Sequence, residues 1–147
     1  MTQPIEQETI LKRVNGIQGE LVELRKLGTL PFEEFADGDG FKLAQYHLHR
    51  TLEGVFNITS HILSRIPGAQ ATQYKEMARK LGEVGIVDSV FADTRLAEMA
   101  KYRNRLVHFY AEVTPNELYA LLQTDLIDID TFLQAIKKVL SDPSRFG

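Results

Sequence analysis

Residues 103–110, RNRLVHFY, contain several side chains that could act together on a phosphate group. Arg103 carries a permanently charged fork that fits phosphate oxygens. His108 can take or give a proton. The pair could cleave RNA without a metal, because His108 could assist attack by the ribose 2′-hydroxyl while Arg103 stabilises charge building on the phosphorus oxygens. DNA lacks that hydroxyl and should resist.

The spacing of these two residues is also compatible with an ordinary charged helix surface. Residues five apart lie about 140° apart around an ideal helix, so Arg103 and His108 cannot stack on each other. Their long side chains could still converge on one phosphate if the helix frays near His108. Spacing alone leaves both interpretations open.

The motif is predicted to lie on a helix over residues 94–110. Spacings of three and four define its apolar face, which comprises Leu96, Met99, Tyr102, Leu106, Phe109 and Val113. The opposite side carries Lys101, Asn104, Arg105 and His108. Val107 lies away from the centre of the apolar face, which indicates a second contact surface. We therefore expect a symmetric dimer with Val107 near the interface and both copies of Arg103 facing a shared cleft.

The rest of the chain is predicted to be helical, because the 3.6-residue period dominates and no stretch alternates like a strand. Further helices are predicted over 5–27, 39–66, 71–84 and 115–140, with short pieces near residue 33 and from Asp88 and a bend near Asp125. Gly16 and Gly19 suggest a close approach of another backbone, or a bend. We expect one all-α domain over residues 1–147, an up-and-down bundle of four long helices plus short helical pieces. The residues predicted to be buried are Leu52, Val55, Ile62, Met99, Leu106 and Phe109.

Composition narrows the class of protein. The chain has 147 residues, 44% of them hydrophobic, a net charge of −3 and no cysteine. These values exclude a disulfide framework and a thiolate metal site, and bulk charge gives no pointer to nucleic acid. The spacing of the four histidines predicts no metal site, and no cofactor is expected. Without a membrane-spanning run or a signal-peptide pattern, a cytoplasmic location is expected.

A second group of polar residues lies on the predicted helix over 39–66. Glu53, Asn57 and His61 recur every four residues beside the apolar seam. They could orient Arg103 or His108, or they could simply form hydrogen bonds between helices. His47 and His49 point to different sides of that helix and therefore do not form a metal site.

The segment YRNRLVHFYAEVTPNELYALL resembles the HepT-like branch of the HEPN superfamily (higher eukaryotes and prokaryotes nucleotide-binding domains). The family pattern is an arginine, four residues of which the first is commonly polar, a histidine, one residue and a tyrosine. Arg103, Asn104, His108 and Tyr110 occupy those positions. The segments YHLHRTLEGVFNITSHILSRIPG and VTPNELYALLQTDLIDIDTFLQAI extend the resemblance, which covers about residues 5–140.

The resemblance implies a HEPN-like homodimer and an activity. Active members are metal-independent endoribonucleases that act as toxins of type VII-like toxin–antitoxin systems, with Arg103 and His108 as the expected catalytic pair and Asn104 and Arg105 in support. The implied partners are an RNA substrate and an MntA-like minimal nucleotidyltransferase, which would transfer AMP to Tyr110. The alternative is a non-catalytic nucleotide- or substrate-binding subunit that docks on such a nucleotidyltransferase.

Overall fold

A computed structural model describes residues 4–108 and 113–143 of the chain, and these ranges contain helices and no strand. The first half contains α1 (Gln7–Gly28), α2 (Phe32–Asp37), α3 (Gly40–Ser64) and α4 (Tyr74–Glu83). The second half contains α5 (Ser89–Phe91), a π-helical turn (Ala92–Leu96), α6 (Ala97–Val107), α7 (Pro115–Thr124) and α8 (Leu126–Ser141). The prediction of an all-α fold is confirmed.

Helix α3 lies at the centre of the core, where it packs most extensively against α1 and also contacts α2, α4, α6 and α7. The regular apolar seam of α3 explains this place, since a face of that length needs partners along its whole extent. Leu52, Val55, Ile62 and Met99 are buried, as predicted. Leu106 is only half-buried, so that prediction was wrong. Phe109 lies outside the described residues.

The start of α7 follows directly from local sequence. The hydroxyl of Thr114 accepts a hydrogen bond from the backbone N–H of Glu117 at 3.2 Å, and Pro115 occupies the first helical position. These features satisfy one of the unpaired amides of the first turn and fix the backbone for a helix. The predicted bend at Asp125 is a break between α7 and α8. Helix α4 begins at Tyr74, later than predicted, because Gln73 is extended.

The helix that carries the motif ends earlier than predicted. Helix α6 stops at Val107, and His108 has extended backbone angles of φ −93° and ψ 110°. The His108 amide donates to the carbonyl of Arg105 at 3.3 Å, which tightens the last turn. The prediction that this helix includes His108 was therefore wrong, and residues 109 and 110 lie outside the described residues.

The two glycines of α1 do not have the predicted role. A Cβ at Gly16 or Gly19 would find no atom within 4 Å, and α1 runs past both without interruption. The close approach between α1 and α3 uses a glycine of the other helix. A Cβ at Gly54 would lie 2.8 Å from Cγ1 of Ile17, so only glycine fits this contact without a shift.

Candidate active site

Arg103 projects from α6 toward α3 and α4. Its Nε donates a hydrogen bond to Oε1 of Glu53 at 2.6 Å, and its Nη1 lies 3.4 Å from Oδ1 of Asn104. The guanidinium carbon lies 4.5 Å from the centroid of the Tyr74 ring, a cation–π distance. Three elements, α3, α4 and α6, thus fix the position of one side chain. The Arg103 side chain is 23% exposed, so solvent can still reach it.

The Tyr74 ring packs against the hydrophobic core. Its ring stacks on Phe56 with a centroid distance of 4.8 Å and an interplanar angle of 8°, and Phe56 is buried. The contact between Tyr74 and Arg103 was not predicted from the sequence. No local pattern could have revealed it, because the two residues lie on different helices and far apart in the chain.

Glu53, Asn57 and His61 form a polar stripe along α3, and its members make different contacts. Glu53 contacts Arg103 and orients it. His61 instead accepts a hydrogen bond from the backbone N–H of Glu6 at 3.2 Å, and burial with the nearby Arg65 lowers its pKa. Asn57 is exposed and lines a groove between α1 and α3. Of these three residues, Glu53 contacts the motif arginine.

His47 and His49, which precede Glu53 on α3, have different partners. His47 Nδ1 lies 2.5 Å from Oε2 of Glu20 on α1, and Glu20 also accepts from Nε of Arg50 at 2.8 Å. His49 Nε2 lies 3.5 Å from Oε1 of Glu53, within ion-pair distance but without hydrogen-bond geometry. The two side chains therefore point in different directions, as predicted.

Arg105 faces a different side of α6 from Arg103. It forms a bidentate pair with Glu117 on α7, with Nη2 at 2.9 Å from Oε2 and a second short bond from Nη1 to Oε1. The hydrogen bond from Arg105 holds the pKa of Glu117 below its usual value. The Arg105 guanidinium also lies 5.2 Å from the ring centroid of Tyr102, whose pKa burial raises to about 12. These residues line a groove of about 550 Å³ between α3, α6, α7 and α8.

The remaining motif positions lie at the end of α6. His108 is exposed on extended backbone, and Val107 is 40% exposed, consistent with its predicted place away from the core. Tyr110 lies outside the described residues. Within residues 4–108 and 113–143, no group of three or more His, Asp or Glu side chains is placed to hold a metal ion.

Comparison with known proteins identifies the family. Residues 17–136 match the family model of the HepT-like ribonucleases. The chain therefore belongs to the HepT-like ribonuclease family, as its motif segment predicted. The tRNA nuclease HepT of Aphanizomenon flos-aquae (strain 2012/KM1/D3) is 24% identical over 137 residues, which cover 92% of each chain.

Two solved structures share the fold. The tri-AMPylated HEPN toxin of Shewanella oneidensis, in complex with an MNT antitoxin, superposes with a TM-score of 0.80 at 19% identity, covering 88% of this chain and 96% of that one. YutE, a cytosolic protein of unknown function from Bacillus subtilis, superposes with a TM-score of 0.78 at 18% identity, covering 95% and 93%. The predicted HEPN-like fold is confirmed. In the described ranges, no helix is both long and apolar enough to cross a membrane.

Proposed function

We propose that this chain is the toxin of a HEPN/MNT toxin–antitoxin pair and a metal-independent endoribonuclease. Membership of the HepT-like ribonuclease family supports the ribonuclease activity. The observation that carries the proposal is the fixed arrangement of Arg103, whose Nε is bound by Glu53 and whose face rests on Tyr74. An arginine held in this way can present the other end of its fork to a phosphate.

The proposed mechanism assigns separate roles to two motif residues. The ribose 2′-oxygen attacks the adjacent phosphorus, and His108 takes the proton that this hydroxyl loses. The bond to the 5′-oxygen breaks as a 2′,3′-cyclic phosphate forms, and a proton returns to the leaving oxygen. Arg103 stabilises the charge that develops on the non-bridging oxygens. His108 suits this role because it is exposed at the end of α6, where a substrate can reach it.

The proposed neutralisation depends on Tyr110. A cognate MntA-like nucleotidyltransferase would transfer AMP from ATP to the Tyr110 hydroxyl and release pyrophosphate. The added phosphate would repel RNA and occupy Arg103. The fold shared with an AMPylated HEPN toxin in complex with an MNT antitoxin supports this part of the proposal, as does the tyrosine at the motif position.

A specific observation favours a second candidate, a non-catalytic subunit that docks on a minimal nucleotidyltransferase. Both motif arginines of α6 already hold a carboxylate, Arg103 that of Glu53 and Arg105 that of Glu117. A phosphate must compete with Glu117 for Arg105, whose pair is bidentate, and must share Arg103 with Glu53. A docking subunit has no chemical need for Arg103, His108 and Tyr110 together, which is why we place the ribonuclease first.

Cleavage by purified protein tests the proposal. The substrates are tRNA, chosen because one relative is a tRNA nuclease, and the same RNA with a 2′-deoxy sugar at the cut site. His108→Ala should lower the rate by about 10²–10⁴-fold, and Arg103→Ala by a similar or larger factor. Lys101→Ala is the matched control, because Lys101 is an exposed cation of α6 that contacts Glu98. It should cleave like the wild type.

The other arms of this experiment separate the mechanism from its alternatives. Cleavage should survive a chelator, and the 2′-deoxy substrate should stay intact. Tyr110→Phe should cleave but accept no labelled AMP from the partner enzyme. Wild-type rates from His108→Ala, or loss of cleavage with chelator, would show the mechanism to be wrong. Tight binding to a nucleotidyltransferase without cleavage of any RNA would instead support the docking subunit.

A further inference from the structure

Glu53 is a partly buried carboxylate whose contact with the motif the proposed mechanism does not use. It lies near the middle of α3, and its side chain is 28% exposed. Its Oε1 accepts from Nε of Arg103 at 2.6 Å and lies 3.5 Å from Nε2 of His49. A charged hydrogen bond of this length is strong and directional. Glu53 therefore restrains the arginine on which the proposed chemistry depends.

The contacts of Arg103 leave one edge of its guanidinium for a ligand. Glu53 occupies Nε, Tyr74 covers one face, and Asn104 lies 3.4 Å from Nη1. Within residues 4–108 and 113–143, nothing accepts a hydrogen bond from Nη2. The edge formed by Nη1 and Nη2 is one of the two edges through which a guanidinium can bind two phosphate oxygens at once. The surroundings of Arg103 thus select how it can meet a phosphate.

We propose that Glu53 is a positioning residue. It anchors Arg103 through Nε while the Tyr74 ring packs against the guanidinium, so that the Nη1/Nη2 edge is presented to the phosphate of the RNA. This role rests on the proposed ribonuclease function. Glu53 does not touch the substrate itself. It acts by removing the rotational freedom of a long side chain before the substrate arrives.

The same carboxylate has a second, opposing effect. Its negative charge lies beside the guanidinium and repels a phosphate that approaches Arg103. Orientation should therefore favour the chemical step, whereas the charge should weaken RNA binding in the ground state. The two effects separate experimentally, because glutamine keeps an acceptor oxygen for Nε but carries no charge.

The predicted signature is a split between kcat and KM. Glu53→Gln should keep kcat within about threefold of the wild type and lower KM for RNA severalfold. Glu53→Ala should also lower KM, but kcat should fall by roughly 10–100-fold because Arg103 loses its anchor. If Glu53 only stabilised the fold, its two variants would not change kcat and KM in this pattern once equal amounts of folded protein are compared.

The control is Glu20, which lines the same groove between α1 and α3 as Glu53 and also has one arginine and one histidine as partners. It accepts from Nε of Arg50 and lies beside His47, but neither of these residues belongs to the motif. Glu20→Ala and Glu20→Gln should leave kcat and KM unchanged. If kcat and KM change to a comparable extent in these variants, the effect follows from the loss of any arginine–glutamate pair, and the proposal is overturned.

A second measurement does not depend on activity. The Nε–Hε resonance of Arg103, assigned by its loss in Arg103→Ala, should be protected from solvent exchange in the wild type and in Glu53→Gln. It should lose that protection in Glu53→Ala. Equal protection in all three proteins would overturn the anchoring role of Glu53.

The two measurements keep the two proposals apart. If wild-type protein cleaves no RNA, the proposed function fails, while the Nε–Hε resonance still decides whether Glu53 anchors Arg103. If wild-type protein cleaves RNA and both Glu53 variants keep its kcat and KM within twofold, the positioning role is wrong. Should Glu53→Ala not fold, Glu53→Gln decides alone, and an unchanged KM overturns the proposal.

Discussion

Replacing Gly54 with alanine should loosen the contact between α1 and α3 beside Glu53. The added Cβ would lie 2.8 Å from Cγ1 and 3.0 Å from Cδ1 of Ile17. Ile17 is 2% exposed, so its side chain would have to shift within the core, and overpacking should cost about 1–3 kcal/mol. Alanine is also the better helix former by about 1 kcal/mol. The net loss of stability should be about 0–2 kcal/mol.

Gly16→Ala is the matched control, because it makes the same change in a helix where nothing lies within 4 Å of the new Cβ. It should raise stability by about 1 kcal/mol. Since the helix-propensity gain is common to both variants, their difference isolates the overpacking, about 1–3 kcal/mol. For a chain of this size that corresponds to roughly 2–12 °C in Tm.

Thermal and urea denaturation, followed by far-ultraviolet circular dichroism, measure this difference. Gly54→Ala should also lower the cleavage rate, because the residue before it holds Arg103. If Gly54→Ala is as stable as Gly16→Ala, α1 and α3 do not approach each other as closely as described, and the reasoning from this contact fails.

Two further predictions concern the groove on the other side of α6. The Tyr102 hydroxyl is buried without a hydrogen-bond partner in the described part of the chain. Tyr102→Phe should therefore add about 1 kcal/mol of stability. In urea denaturation it should also abolish the fall in stability that the wild type shows as the pH rises from the ordinary pKa of 10.0 to about 12. Arg105 lowers the pKa of Glu117, so their pair stabilises the fold above the ordinary pKa of 4.5 and is lost as the pH falls. Arg105→Gln should cost at most about 1 kcal/mol at neutral pH, since these side chains are 38% and 36% exposed, and progressively less as the pH falls below 4.5, also measured with urea.

Local signals in the sequence were sufficient for most of the fold. The start of α7 could be predicted because Thr114 and Pro115 act within one turn. The burial of α3 could be predicted because its seam repeats over its full length. The end of α6 could not, since apolar residues continue beyond Val107 and no proline or glycine stops the helix there.

The candidate site could likewise be predicted only in part from the sequence. The sequence predicted Arg103 and His108 as a catalytic pair, and it left two roles open for Glu53, orientation of the pair or hydrogen bonding between helices. It could not choose between those alternatives, because the answer depends on how α3 and α6 pack. The Tyr74 platform depends on a third helix, and a tyrosine at the edge of a core has no spacing that would distinguish it from any other. Arg105 lies in the same motif segment as Arg103, but it pairs with Glu117 on α7. Its position in the sequence did not indicate this partner.

The early end of α6 changes what the spacing between Arg103 and His108 means. Inside a helix, one inserted residue would rotate every later side chain by about 100° relative to the bundle. His108 instead lies on extended backbone beyond the last helical residue. One residue added between Val107 and His108 would displace the imidazole by about 3.3 Å along the chain and turn it to the opposite side of the backbone. The linker length between the two groups can thus vary without a change in the bundle, whereas one residue added between Arg103 and the end of α6 would turn Val107 to another side of the helix.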